Sequence, residues 1–174
     1  MAKKILVTMG GADSGNVTRK VMGALRLTKI SGLKVDVVVG PANPHLAGLR
    51  SVAAASGCDM RLTRDAADMP RRMAWADLAV TSGGVTCRES ACVGLPTIVG
   101  ISASNQSGNV RGMCAAGAVV SVGSWKRAGV GRIAAAIESV ARDADRRRRL
   151  SRAGRALVDG RGAERVLDAM RRKQ

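Results

Sequence analysis

The chain has 174 residues and a formal charge of +16, from 29 Lys and Arg against 13 Asp and Glu; hydrophobic residues make up 46% and charged residues 24%. That length suits one domain, and that apolar share supports a packed core and excludes a disordered polymer. No run approaches the ~20 apolar residues of a membrane span, and Met1-Ala-Lys-Lys leads straight into Ile5-Leu6-Val7 with no secretory segment.

In chain order, Ile5–Met9 reads as a strand and Val17, Val21 and Leu25 repeat at helical spacing. Val35–Val39 reads as a second strand, and His45, after Pro44, falls near the start of a second helix. Asp59–Thr63 is a weaker strand candidate, followed by Leu78–Val80, Thr97–Ile101 and Ala118–Val122. Ile133, Ile137 and Val140, then Val166 and Met170, return to helical spacing, while Gly154, Gly160 and Gly162 divide the end into two or three short helices. Apolar runs without alternation are strands buried on both faces, and their alternation with helices predicts a parallel sheet covered on both sides. The expected fold is α/β, a doubly wound, Rossmann-like parallel sheet of about six strands in the order 3-2-1-4-5-6.

There is no Phe and no Tyr, and only Trp75 and Trp125 are aromatic, so Val, Ile, Leu, Ala and Met must build the core. Single-strand nucleic-acid modules stack bases on aromatic side chains, so the same scarcity argues against them. Trp125 reads as a surface or interface aromatic. The four cysteines, Cys58, Cys87, Cys92 and Cys114, include no CxxC pair; zinc is disfavoured and reduced thiols in a cytoplasm are expected. Residues 142–174 form a basic helical tail with twelve Lys and Arg against five Asp and Glu. A solvated helix face is the first reading of that tail and an anionic membrane surface the second. Nucleic acid comes last, because no helix-turn-helix, zinc or RNP motif is present.

In the expected strand order, strands 1 and 4 are neighbours at the switch point, where open parallel sheets bind ligands. Strand 1 ends in Met9-Gly10-Gly11-Ala12-Asp13-Ser14-Gly15-Asn16 and strand 4 in Thr81-Ser82-Gly83-Gly84-Val85-Thr86. Each loop opens a helix. Glycine lets the backbone approach a ligand, and a helix start offers unpaired N–H groups and partial positive charge. Two such loops facing one crevice suit a diphosphate. Neither is GxGxxG or a P-loop.

Plain structural readings compete at several of these positions. Asp13 or Ser14 can cap the first helix. Thr86-Cys87-Arg88-Glu89 matches a capping box; the functional alternative puts Thr86 on a phosphate and Glu89 on a ribose diol, since a carboxylate accepts from two adjacent hydroxyls. Asn105 and Gln106, at the helix after strand 5, are equally suited to capping or to contacting a sugar. Cys87 sits near a helix start, which lowers a thiol pKa, but the one histidine, His45, is in another segment; Cys87 is read as a packing residue and His45 as solvated or capping.

Residues 5–13 with Asn16 and Thr18, Met73–Val80 followed by Gly83–Glu89, Gly94-Leu95-Pro96, and Asn105-Gln106 together resemble the C-terminal domain of UDP-sugar hydrolases of pseudaminic acid biosynthesis. The peptidoglycan N-acetylglucosaminyltransferase family is a more distant likeness. The resemblance spans residues 4 to about 122. It implies a B-type glycosyltransferase (GT-B) fold, with residues 1–174 as its single nucleotide-sugar-binding C-terminal half. Carried over by position, Gly10, Gly11, Asp13 and Asn16 approach the phosphates and Gly83, Gly84, Val85 and Thr86 line them from the other side. Glu89 takes the ribose, Asn105 and Gln106 face the sugar, and Thr63–Asp68 frames the uracil. The sequence departs from the family at Val85 (often Ser), Arg88 (often Trp) and Ser14 (commonly Pro).

The resemblance further implies UDP or a UDP-sugar as ligand, in a glycosyltransferase or hydrolase of surface polysaccharide or glycan precursor biosynthesis, cytoplasmic or at the inner membrane face. No cofactor, metal or catalytic residue is assigned. The expected catalytic N-terminal domain is missing from this chain, so a separate N-terminal half is an expected partner and the chain alone is expected to bind nucleotide weakly and turn over little. A non-catalytic nucleotide-binding module is the alternative.

Overall fold

A computed structural model describes residues 1–172; Lys173 and Gln174, the end of the expected basic tail, lie outside the described residues. The strands are β1 (Lys4–Thr8), β2 (Lys34–Val39), β3 (Asp59–Arg64), β4 (Leu78–Ser82), β5 (Thr97–Ile101) and β6 (Val120–Ser124). The helices are α1 (Val17–Leu27), α2 (Leu46–Ala54), α3 (Met69–Trp75), α4 (Val85–Cys92), α5 (Ser107–Ala115), α6 (Val130–Arg142), α7 (Ala144–Leu157) and α8 (Gly162–Arg171), with a 3-10 turn at Ser104–Gln106 before α5. All strand pairs are parallel, in one six-stranded sheet of order β3-β2-β1-β4-β5-β6. The expected fold and strand order are those of the molecule.

The pleat explains why the central strands are continuously apolar. Ile5 and Val7 of β1 face a core shared with Val21, Met22 and Leu25 of α1 and Ile133, Ile137 and Val140 of α6. Leu6, between them, faces a second core with Val38, Met73 and Leu95 on the α3 side. With both faces covered, alternation has no reason to appear in the sequence. Trp125 is 1% exposed, which corrects its reading as a surface aromatic. It is buried because Gly100 on β5 has no side chain: a Cβ there would lie 2.4 Å from the indole ring.

β6 begins two residues later than expected. Gly117, at φ 69°, and the Ala118 N–H bond to Met113 O (2.9 Å) close the end of α5, so that segment finishes the helix instead of starting the strand. α7 lies against α4, where Gly154 approaches the Ala91 carbonyl. α8 has the predicted helical spacing, but Val166, Leu167 and Met170 are 54–62% exposed and none of its residues is buried. Among the described residues, no helix is long and apolar enough to cross a membrane.

Candidate functional site

The two glycine loops lie over neighbouring strand ends. β1 and β4 pair in register through Thr8↔Thr81, so the chain leaves both strands at the same edge of the sheet. The hydroxyl of Ser82, which is 6% exposed, contacts Met9 Sδ (3.6 Å) and shares a hydrogen bond with Ser102 Oγ (2.7 Å). The ends of β1, β4 and β5 are thus tied together beneath one crevice.

The first loop is shaped by backbone fit. Gly10 takes φ 86°, which favours glycine. Gly10 and Gly11 face open space, with nothing within 4 Å of where a side chain would begin. Behind them, Gly40, just after β2, comes so close that a Cβ would stand 2.3 Å from the carbonyl oxygens of both Gly10 and Gly11. Ala42 donates its N–H to Gly11 O (3.1 Å), and His45 Nε2 pairs with Ser14 O (3.2 Å). The segment Gly40–His45 therefore clamps the loop from outside. His45 heads α2 through its backbone, without a side-chain cap, and its ring reaches the first loop.

Asp13 fills the capping role that was its alternative reading. Its Oδ1 accepts from Val17 N (2.8 Å) and its Oδ2 from Thr18 N (2.9 Å), so one carboxylate occupies the first two amides of α1. A phosphate cannot use those donors while Asp13 holds them. Asp13 and Asn16 sit in left-handed backbone conformation, at φ 43° and 50°. Asn16 Oδ1 is buried without a hydrogen-bond partner.

The second loop is the opposite case. Gly84, extended at φ −85° and ψ −153°, precedes α4, and among the described residues no side chain caps that helix. Thr86 is therefore inside the helix instead of at its cap, and the Glu89 carboxylate accepts no backbone N–H among the described residues, so the capping box does not form. The first N–H groups of α4 remain open, and with them its partial positive charge. Val85 is 69% exposed and Glu89 is exposed at this end of the helix.

Gly83 fixes the loop from below. It is buried, donates its N–H to Gly100 O (3.1 Å), and accepts from Asn109 Nδ2 (2.9 Å). A Cβ on Gly83 would meet Val110 at 2.3 Å. Asn109 also accepts from Arg88 Nε (2.9 Å), so α4, α5 and the loop are cross-linked through one amide. Gln106 stands beside both glycines: the Cβ positions of Gly83 and Gly84 lie 3.3 Å and 4.0 Å from its side chain. Its Oε1 accepts from Ser102 N (2.9 Å). Asn105 is exposed next to it.

Gly40, Asn109, Ser82 and Ser102 were not singled out from sequence. Asn109 follows Gln106 by three residues, so it lies on the same helical face, the one signal that pointed to it. Cys87, at the third position of α4, shows two opposed influences. Burial, reinforced by neighbouring Cys114, pushes its thiol up to about 11, so the helix end does not activate it; its Sγ packs 3.4 Å from Met113 Sδ. Thr63–Asp68 spans the end of β3 and the turn into α3, with Asp65 at φ 52°.

No family model matches the chain. It is 27% identical over 165 residues to the spore coat polysaccharide biosynthesis protein SpsG of Bacillus subtilis, covering 94% of this chain and 48% of that protein. Among solved structures, MurG of Acinetobacter baumannii superposes with a TM-score of 0.81 at 13% identity, over 99% of this chain and 52% of that one. The spinosyn rhamnosyltransferase SpnG, complexed with thymidine diphosphate, superposes at 0.71 and 18% identity, over 91% of this chain and 41% of that one. The chain thus has the fold of the C-terminal domain of GT-B glycosyltransferases and spans about half the length of these proteins.

Proposed function

We propose that the chain is the nucleotide-sugar-binding half of a GT-B-type enzyme of surface polysaccharide or glycan precursor biosynthesis, with UDP or a UDP-sugar as its ligand. The observation that carries this reading is the uncapped start of α4, opening beside Gly83–Gly84 onto the β1/β4 crevice and facing the bare Gly10–Gly11 loop. Helix N–H groups and the dipole favour a diphosphate there, and the absence of side chains at Gly10, Gly11 and Gly84 leaves room for it. The relative named for spore coat polysaccharide biosynthesis and the diphosphate-bound glycosyltransferase of the same fold support the reading.

In this arrangement the α4 amides and Thr86 hold the diphosphate. Glu89, exposed and unpaired among the described residues, accepts from the ribose diol. Gln106 and Asn105 face the sugar, and Thr63–Asp68 frames the base. Asp13 keeps the first loop in shape without touching the nucleotide. The reaction is hydrolysis or transfer at the sugar–phosphate bond; fixed N–H donors would stabilise the charge that develops on the departing UDP. A separately folded N-terminal half would bring the acceptor and the catalytic groups, so this chain alone should turn over little.

Thermal unfolding with UDP and ADP tests the reading, because a ligand bound only by the native state raises its melting point. UDP should stabilise the chain more than ADP, and Gly11→Val and Glu89→Ala should each remove the effect. Equal shifts from both nucleotides, or none from UDP, would overturn the assignment.

A further inference from the structure

A cavity of about 520 Å³ opens away from the glycine loops, along α3 where it crosses β2 and β3. It is lined near the beginnings of those strands by Lys34, Asp36 and Arg61, and from α3 by Arg71, Arg72 and Trp75. Its floor is Arg72, 8% exposed. Arg72 Nη1 donates to Asp36 Oδ1 (2.8 Å), Asp36 Oδ2 (2.6 Å) and Thr63 Oγ1 (3.1 Å), while Nε donates to Asp68 Oδ1 (2.6 Å). Burial works against the guanidinium's charge, but the bonds to Asp68 and Asp36 outweigh it and hold its pKa above the usual arginine value.

These bonds fix Arg72 without using it up. Its Nη2 takes part in none of them and is not sealed from solvent, and Arg72 itself lines the cavity. At the rim, Lys34, Arg61 and Arg71 are exposed and form no ion pair among the described residues. The cross-strand register sets Lys34 beside Asp59 and Asp36 beside Arg61, yet neither pair forms a salt bridge among the described residues, and Asp36 turns instead to Arg72. The lining thus carries four cations against three carboxylates, two of which already share Arg72. Trp75, half-buried with Lys4 Nζ 5.9 Å from the centre of its ring, supplies a flat apolar wall. A purely structural staple explains the buried pair but not three unpaired rim cations and a free guanidinium edge around a ligand-sized space.

We infer that this cavity is a second anion site, distinct from the diphosphate crevice although the Thr63–Asp68 turn borders both, that takes a small phosphate monoester carried on a ring-sized body. Guanidinium groups donate in a planar fork that matches phosphate oxygens, and a phosphate monoester near neutral pH carries close to two negative charges. It also presents three oxygens to the guanidinium and ammonium donors of the lining, where a carboxylate presents two. The ring-sized body packs on Trp75.

Trp75 also reports on the site. The other tryptophan, Trp125, is 1% exposed, and there is no tyrosine, so an emission change on ligand addition reads Trp75. The whole chain is titrated at constant ionic strength with glucose 1-phosphate, inorganic phosphate, acetate and chloride. Glucose 1-phosphate should give a saturable change, inorganic phosphate a weaker one, and acetate and chloride none. Arg61→Ala with Arg71→Ala removes two charge-assisted partners and should weaken glucose 1-phosphate by about tenfold or more. Gly11→Val and Glu89→Ala should leave it unchanged, so failure here and failure of the UDP reading are told apart. The inference is overturned by a response no different from chloride's, by an acetate response equal to that of phosphate, by equal affinity in the double variant, or by loss of binding in Gly11→Val. Circular dichroism of the double variant confirms folding; both positions are exposed, so the variant should remain native.

Discussion

Gly40→Ala tests how the first glycine loop is held. The new Cβ would stand 2.3 Å from Gly10 O, 2.3 Å from Gly11 O and 2.5 Å from Gly11 C. All three are backbone atoms, so no side chain can swing aside, and the loop must retreat by roughly 1 Å to regain van der Waals contact. Overpacking of this kind costs about 1–3 kcal/mol. The same retreat stretches the Ala42 N–H bond to Gly11 O, now 3.1 Å, which contributes about 0.5–1.5 kcal/mol. A loss of about 2–4 kcal/mol follows, which in a chain of this size lowers the melting temperature by roughly 5–15 °C. Urea unfolding of the purified chain measures the first quantity and differential scanning calorimetry the second. UDP affinity should fall as well, since Gly10 and Gly11 no longer face the crevice at their present distance. A loss under about 1 kcal/mol, with UDP affinity unchanged, would show that the clamp does not set the loop and would refute the reasoning.

Three further outcomes are expected. Asp13→Ala frees the amides of Val17 and Thr18 and should cost about 1–2 kcal/mol in urea unfolding, whereas Asp13→Asn, which keeps one of the two acceptors, should recover only part of it. Cys87 should stay unmodified when the native chain meets a thiol-specific disulfide reagent at about pH 8, because burial pushes its thiol up to about 11; peptide mapping should find it labelled only after unfolding. Asp159 accepts bonds from Arg165 and from the Arg161 amide, which bring its carboxyl down from 3.8 to about 2. Its folded pKa lies below the unfolded one, so its favourable contribution is complete above 3.8 and disappears as pH falls through about 2. Carbon-detected NMR titration should show that midpoint, and Arg165→Ala should return it towards the ordinary value.

Much of the site was legible because its signals are local. Gly10-Gly11 and Gly83-Gly84 announce tight strand-to-helix turns, and the strand order follows from element alternation and crossover rules, so their meeting at β1 and β4 is legible in the sequence. What was ambiguous concerned competition for the same donors. Asp13 and the Thr86–Glu89 pair were each suited to capping or to ligand contact; folding gave the cap to Asp13 and withheld it from Thr86, because Gly84 already begins α4 in an extended conformation. Trp125 was misread for a related reason: its burial depends on Gly100, twenty-five residues earlier in the chain and adjacent only across the sheet.

The amino-acid sequence by itself determined the layers, the strand order and the position of the crevice, because periodicity and turn chemistry act between residues a few places apart. Only the tertiary structure decided which helix end stays open, that Gly40 backs the first loop, and that Arg72 joins Asp36 and Asp68 under a cavity. Several of those contacts join residues far apart in the chain, such as Asn109 with Gly83 and Arg72 with Asp36. Whether two such groups meet is set by packing to within an ångström, and no local pattern carries that distance.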